Sequence, residues 1–555
     1  MNRTKQFVAA LAVTAIIFSA GCQSAAATAT ATNSVTVQSV AAQAATAEAS
    51  AVQLSSEAYS DRDLDASYEE SEAIQVDLNT VSGDYTITAT GVYVFSGTLS
   101  NGSIIVNAGE EDKVQIVLSN ASITNSDGPA IYAVTADKVF VTAAEQTVNT
   151  LSDGSSYAQD SFGYNPDGAI FSRCDLTING TGSLEVKGNY KFGIVGKDAV
   201  VVTNATLNVT AVSDGIVGKD SVSIASGTVS ITAGGDGIAS DNSDDATSGN
   251  VVIDGGTITI QTTGSSANSA KGIKAQASLV INGGSITIDA TDDALHSATS
   301  VTITNGTLLL ASGDDGIHSD DLVAISGGEI TISQSYEGVE GGSIAVSGGA
   351  IDLTASDDGF NAAGGADNSA SNGPRGNDAF AVDTSKSLVI SGGTITVNAE
   401  GDGLDSNGTL AISGGTIYVS GPTSSRDGAL DSNGAMTISG GVVVAAGSAG
   451  MAQMFDQSSA QASLSYTFTT VQQAGTTVTL KDASGNVIAS YTPDKQFQNV
   501  IISAPGLSSG QTYSLYSGNT LVESVTLSGT VTSIGSGNAS GGFGGNQRPG
   551  GGERG

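Results

Sequence analysis

The chain has no tryptophan, only two cysteines (Cys22 and Cys174), and just 19 lysines and arginines against 55 aspartates and glutamates. With two cysteines, neither a disulfide framework nor a Cys-based metal cluster or redox pair can hold the fold together. The net charge of −36 disfavours nucleic acid and anionic membrane as partners. After Phe18 no apolar run is long enough to cross a bilayer as a helix, which takes about 20 residues. What the chain does have is glycine, 73 residues of it, and an apolar fraction of 39%. That balance describes a folded acidic protein and not a disordered polyacid. Its stability must come from repetitive burial.

The N-terminus points to export. A basic start, Met1-Asn2-Arg3-Thr4-Lys5, precedes an apolar run from Phe7 to Phe18 and then Ser19-Ala20-Gly21-Cys22. About a dozen apolar residues make a secretory signal and not a permanent span. Ala20-Gly21-Cys22 resembles the end of a bacterial lipobox, although Ser19 stands where leucine is usual. Lipidation of Cys22 would anchor the protein on the extracellular face of the cell membrane, its one expected membrane contact, and would leave Cys174 without an intramolecular partner. The alternative is ordinary cleavage after a small residue.

Composition divides the chain into a signal (1–22), an Ala/Ser/Thr-rich linker expected to be a flexible stalk (23–73), a repetitive region (74–455), a small β module (456–534) and a Gly-rich tail expected to be disordered (535–555). In the repetitive region Leu279, Ile281, Ile286, Ile288 and Leu295 reappear 22 residues later as Val301, Ile303, Leu308, Leu310 and Ile317. The set recurs as Val323, Ile325, Ile330, Ile332 and Val339, and again from Ile344, Leu388 and Leu410. Within each unit apolar residues alternate by two, which is strand spacing. Gly-Gly or Asn-Gly pairs such as Gly283-Gly284 and Asn305-Gly306 separate the runs, as corners with positive φ require. Three short strands and three corners per coil predict an all-β fold, a right-handed parallel β-helix with coils of about 22 residues, followed by the small C-terminal β module. A monomer is expected.

One corner carries acidic turns: Asp214-Gly215, Asp236-Gly237, Asp292-Asp293, Asp314-Asp315, Asp357-Asp358, Asp402-Gly403 and Asp427-Gly428. The residue after the next inward position is His296, His318, Glu340, Asn361, Asp405 or Asp431 in successive coils. Stacked carboxylates about 4.8 Å apart repel by roughly 1 kcal/mol in water, and by roughly 3–4 kcal/mol at an effective dielectric near 20. Such a row must be hydrated, hold protons, or bind cations. Calcium, a hard cation taking six to eight oxygens, suits the last option. Its candidate ligands are Asp292, Asp293, Asp314, Asp315, Asp357, Asp358, Asn361, Asp402, Asp405, Asn407, Asp427 and Asp431. The competing reading is that Asp-Gly simply makes a good turn.

The strand-turn unit Gly-Gly-Thr-Ile-Thr-Ile, the turn Asp314-Asp315-Gly316-Ile317-His318-Ser319-Asp320-Asp321, and the stretches from Gly168 to Leu184 and from Tyr491 to Lys495 resemble bacterial carbohydrate-binding domain-containing surface lipoproteins. The β-helix of that family is similar to that of pectate lyases. The resemblance implies calcium along the helix and binding of cell-wall polysaccharide, acidic pectin or cellulose, without established catalysis. Asn189-Tyr190-Lys191-Phe192-Gly193 departs from the family's Asp-Gly turn and puts calcium there in doubt. Missing tryptophan also removes the usual aromatic platform for flat cellulose. A lyase on the same scaffold is the alternative, with Arg426, Lys274 or Arg375 as base beside a cation. Paired carboxylates for hydrolysis, or an adhesin whose repeats are purely structural, are the remaining readings.

Overall fold

The computed structural model describes residues 25–245, 247–264, 269–364 and 381–535; Cys22, the signal segment, Arg375 and the tail beyond Gly535 lie outside them. The described chain is all-β apart from one N-terminal helix and two short helical turns, and most of its strands join one long, mainly parallel sheet. Strands pair with their counterparts one repeat on, so three parallel ladders run side by side. The first contains Ser278–Ile281 and Ser300–Ile303, the second Ser285–Asp289 and Thr307–Ala311, the third Leu295–Ser297 and the start of Ile317–Ile325.

The apolar spacing is the register. Leu279 pairs with Val301, Ile281 with Ile303, Ile286 with Leu308, Ile288 with Leu310 and Leu295 with Ile317. These side chains are all buried, in a single apolar cluster that runs from Val76 to Val531. Each fully buried Leu or Ile contributes roughly 1.5–3 kcal/mol relative to exposure, and stacking places like beside like. Gly284, at φ +93°, makes the corner between the first two ladders, where a Cβ would sit 3.0 Å from the carbonyl oxygen of Gly256. Glycine is required there by both φ and space.

The last strand of the second ladder, Val442–Gly447, pairs antiparallel with Phe497–Ser503, which also pairs with Ser463–Gln472. Val444 and Ala446 join the core of this C-terminal unit, completed by a separate four-stranded antiparallel sheet. The growing edge of the second ladder is thereby covered instead of left as a template for another chain.

The segment 23–73 differs from the expected stalk. Helix α1, Ala25–Glu57, lies along the outward face of the first ladder. Val40 and Ala44 pack on Leu322, Ala324, Ala345 and Val389, and Ala51 packs on Val252 and Val280. Ser55 bonds Asp254 at 2.6 Å. Beyond the helix Asp63 is buried, 2.7 Å from Lys138 Nζ and hydrogen-bonded by Thr177. Alanine favours helix, and spacings of four, three and four put Val40, Ala44, Ala47 and Ala51 on one stripe. The apolar outward residues of the first ladder, Val252, Val280, Leu322, Ala324, Ala345 and Val389, give that stripe a seat. Composition alone reads the same alanines as low complexity.

Ile303→Ala tests the register. It should lower unfolding free energy by about 2–5 kcal/mol in urea titration, because Ile303 is stacked between Ile281 and Ile325. Exposed Thr287→Ala should stay within about 0.5 kcal/mol. Equal losses would contradict the inward assignment.

Candidate functional site

Two columns of side chains flank the start of the third ladder. The inner column stands two residues before the inward position: Asp214, Asp236, Lys271, Asp293, Asp315, Glu337, Asp358 and Asp402, with Asp214 pushed up to about 6 by burial and by Asp236. The outer column stands one residue after it. Strand pairing places Lys274 beside His296, His296 beside His318, His318 beside Glu340, Glu340 beside Asn361, and Asn361 beside Asp405. Strand alternation turns this second set away from the apolar core.

The inner carboxylates first do structural work. Asp293 Oδ1 accepts the backbone N–H of Asp315 at 3.1 Å, and Asp315 Oδ1 accepts that of Glu337 at 3.3 Å. Asp358 Oδ1 accepts the N–H of Asp402 at 2.6 Å, and Asp402 accepts that of Gly428. Each therefore satisfies a backbone donor one repeat ahead. The second oxygen is left for another partner.

At Asp293 and Asp315 that partner is a cation of the chain itself. Lys271 Nζ lies 2.6 Å from Asp293 Oδ2 and 3.2 Å from Asp292 Oδ2, with all three side chains buried. His296 Nδ1 is 2.9 Å from Asp293 Oδ2. His318 Nδ1 is 2.9 Å from Asp315 Oδ2 and 2.8 Å from Glu340 Oε2, while its Nε2 is 3.2 Å from Asp320. The two imidazoles stack with centroids 4.9 Å apart. Burial alone would raise Asp293, but the His296 hydrogen bond and the Lys271 charge hold it below the usual carboxylate range. Burial likewise opposes a charge on His318, yet Asp315, Asp320 and Glu340 together push it well above the ordinary imidazole range.

In the C-terminal half no such cation appears among the described residues as a leading influence on Glu337, Asp358 or Asp402. Burial, then Glu340, Asp315 and Asp358, push Glu337 up to about 10. Burial, then Asp358 and Asp431, push Asp402 up to about 9. Burial, Asp405 and Asp357 raise Asp358 well above its ordinary value, and burial raises Asp431. Glu340 Oε2, Asn361 Oδ1 and Asp431 Oδ1 are buried without a hydrogen-bond partner. Glu340 Oε2 nevertheless lies 2.8 Å from His318 Nδ1, which it shares with Asp315 Oδ2 at 2.9 Å. One carboxylate oxygen from each of Asp402, Asp405 and Asp431 falls within 4.8 Å of the others. Oxygen-only sets of this kind suit a hard cation, whereas the His-containing clusters do not.

The sequence-derived candidates separate accordingly. Asp292, Asp293 and Asp314 cluster around Lys271, and Asp315 belongs to the His318 group. Asp358, Asp402, Asp405, Asp427 and Asp431 come together, with Asp357 beside Tyr336. Asn361 donates to Glu337 Oε2 at 2.9 Å. Asn407 accepts from Asn433 at 3.0 Å at the far end of its strand. Lys274 Nζ lies 3.6 Å from Asp236, and Arg426 is exposed. Sequence reasoning missed Lys271 and Glu337. The signal was their spacing, since both precede a glycine and step by 22 residues to Asp293 and from Asp315. At the departure from the family turn, Phe192 packs against an apolar outward patch of Tyr132, Phe171 and Val195.

Residues 82–267 and 261–316 match a family model described as carbohydrate-binding domain-containing protein. A carbohydrate-binding domain-containing protein of Acetivibrio thermocellus is 36% identical over 126 residues, 22% of this chain and 44% of that protein. The chain thus spans less than half the length of the curated relative it matches. A solved structure, the polysaccharide lyase-like protein from C. thermocellum as a gadolinium derivative, is 30% identical. That alignment covers 46% of this chain and 96% of the other, with a TM-score of 0.38. The family match ends at residue 316, so Glu337, Asp358 and Asp402 lie beyond it.

Lys271→Met should cost about 3–5 kcal/mol in urea titration, because it strands buried carboxylates. Adding Asp293→Asn should recover part of that loss. Simple additivity of the two losses would contradict the pairing.

Proposed function

We propose that the protein binds acidic, pectin-type cell-wall polysaccharide at the bacterial surface through calcium, without cleaving it. In this reading the three ladders are the faces of a right-handed parallel β-helix, the hand that parallel crossovers favour. Cys22 carries the lipid anchor, and the protein acts as a monomer. The observation that carries the proposal is the C-terminal half of the column, where oxygens of Asp402, Asp405 and Asp431 lie within 4.8 Å of one another and burial with neighbouring carboxylates raises Glu337, Asp358 and Asp402. The family match supports a carbohydrate ligand.

The residues fit calcium in two places. Glu337, Glu340 and Asn361 would hold one ion, because these buried side chains lie together and, among the described residues, Asn361 Oδ1 has no hydrogen-bond partner, while Glu340 shares only His318 with Asp315. Asp402, Asp405 and Asp431 would hold another, with Asp358 between the sites and Asp427 beside the second. Calcium supplies the positive charge that a uronate carboxylate needs in order to approach a chain of net charge −36. The side chains hold the ion and set its position, while the backbone N–H bonds to Asp358 and Asp402 keep the carboxylates fixed. At Asp293 and Asp315, Lys271 and His318 already do the ion's work. The lyase alternative lacks comparable support, since Lys274 is engaged by Asp236 and Arg426 is exposed.

Binding is tested by retention on immobilised polygalacturonate. Retention in millimolar calcium should be lost in EDTA and reduced at least tenfold by Asp402→Asn/Asp405→Asn. Retention unchanged by chelator would overturn the mechanism.

A pH prediction follows from the same groups. Glu337, Asp358 and Asp402 keep protons in the calcium-free folded state that the unfolded chain loses near pH 4. Stability in chelator should therefore fall as pH rises from about 4 toward 9, because the folded state binds more protons. Calcium at 100 times its Kd should restore about 2.7 kcal/mol per site at neutral pH. Thermal melts at pH 5 and pH 8, with calcium and with EDTA, check this. A calcium-free melt that is higher at pH 8 than at pH 5 would contradict it.

A further inference from the structure

The segment before the first coil retraces the stack in the opposite direction. Strand pairing carries the outward position of the first ladder from Phe140 in an early coil to Thr437 in the last, in eleven steps. Helix α1 enters at the far end of that series. It lies beside Thr409–Ile412, then Val40 packs among Leu322, Ala345 and Val389, and Ala51 on Val252 and Val280. Ser55 bonds Asp254, and Asp63 meets Lys138 and Thr177 in the early coils.

Helix and ladder keep step. From Ala51 back to Val40 the helix rises about 16 Å. From Val280 to Ala345 the ladder advances three rungs, about 14 Å. Ala25 opens the helix fifteen residues before Val40, about 22 Å further along. Past Ala345 the ladder has three rungs left, about 14 Å, ending at Thr437. The start of α1 therefore overshoots the last rung by about 8 Å, at the C-terminal end of the stack. Cys22 stands three residues before Ala25, and three residues reach at most about 11 Å. A random-coil stalk over 23–73 would instead reach about 40 Å and leave the stack free to turn.

We propose that α1 ties the membrane anchor to the C-terminal end of the stack, so that this end faces the lipid surface and the first coils stand farthest from it. The inference rests on the reading of Cys22 as the lipid anchor. The charge distribution suits it. Residues 456–534 carry Asp456, Asp482, Asp494 and Glu523 against Lys481 and Lys495, a light charge in a chain of net charge −36. The strongly acidic coils are thereby held back from anionic headgroups. Phe140 stands eleven rungs from Thr437, about 53 Å further out along the stack. The Asp402, Asp405 and Asp431 group belongs to the last rungs, so its ligand would be held near the cell surface and not at the tip.

The test uses the mature chain from Cys22, coupled through that thiol to maleimide lipid in neutral vesicles that carry dansyl headgroups. Cys174 is buried, and the chain has no tryptophan, so one introduced tryptophan is the sole indole donor to dansyl. Ser413→Trp and Glu145→Trp replace exposed residues at the corner between the first and second ladders, ten rungs apart, about 48 Å. Energy transfer should be at least threefold more efficient from Ser413→Trp. Replacing Gln23-Ser24 by a long Gly-Ser linker leaves α1 seated and should make the two donors alike. Equal transfer in the short-tethered chain, greater transfer from Glu145→Trp, or a preference that survives the linker would each overturn the proposal. Maleimide coupling reads the geometry whether or not the cell lipidates Cys22. Lipidation itself is read by radiolabelled palmitate in the wild type against Cys22→Ser. A wild type without label would overturn the anchor reading and the membrane orientation together, whatever the transfer shows.

Discussion

In-register stacking at about 4.8 Å makes every side chain the neighbour of its own counterpart one repeat away. For inward positions the rule is benign, since leucine on isoleucine buries area and satisfies packing at once. For charged positions it is severe, because a carboxylate repeated on each rung meets another carboxylate above and below. The rest of the molecule is organised around that asymmetry. Inward columns stay apolar on nearly every rung, with Asn149 beside Leu184 an exception, while the column at the acidic corner changes its solution as it proceeds. Lys271 and His318 neutralise the rungs of Asp293 and Asp315 internally. Among the described residues Glu337, Asp358 and Asp402 have no such partner and are driven toward the protonated form. A bound hard cation is the remaining way to keep them ionised, which is why the proposed calcium centres fall in this half.

The same repetition creates surfaces that have to be managed. Each ladder ends in an unpaired strand edge, and the C-terminal unit meets one of them by antiparallel pairing with Val442–Gly447. The first ladder presents apolar outward residues, and α1 with Asp63 behind it fastens onto them at points far apart along the stack. Asp63 is itself a buried acid and has its own counter-ion in Lys138. Buried charge in this protein is therefore placed opposite a named partner wherever the chain can supply one.

Much of this was legible in the residues. The alternation of Leu279 with Ile281 and of Ile286 with Ile288, repeated at 22, gave strand, face and register together, because burial selects strongly at those positions. The Asp-Gly corners were legible because the turn restricts its residues. Lys271 and Glu337 escaped because they occupy the same geometry with a different side chain, so a search for aspartate passes over them. Asn407 was drawn into the candidate set by nearness in sequence, yet it lies two residues past Asp405, at the other end of a three-residue strand. The α1 segment escaped for a different reason: its seat on the first ladder exists only once the fold has formed.

The account turns on where the chain supplies its own cations and where it does not. An anomalous difference map from crystals grown in calcium addresses that directly. Peaks are predicted within ligand distance of Glu337, Glu340 and Asn361, and of Asp402, Asp405 and Asp431, with none among Lys271, Asp293, His296 and His318. Peaks at the histidine pair, or none anywhere along the column, would contradict it.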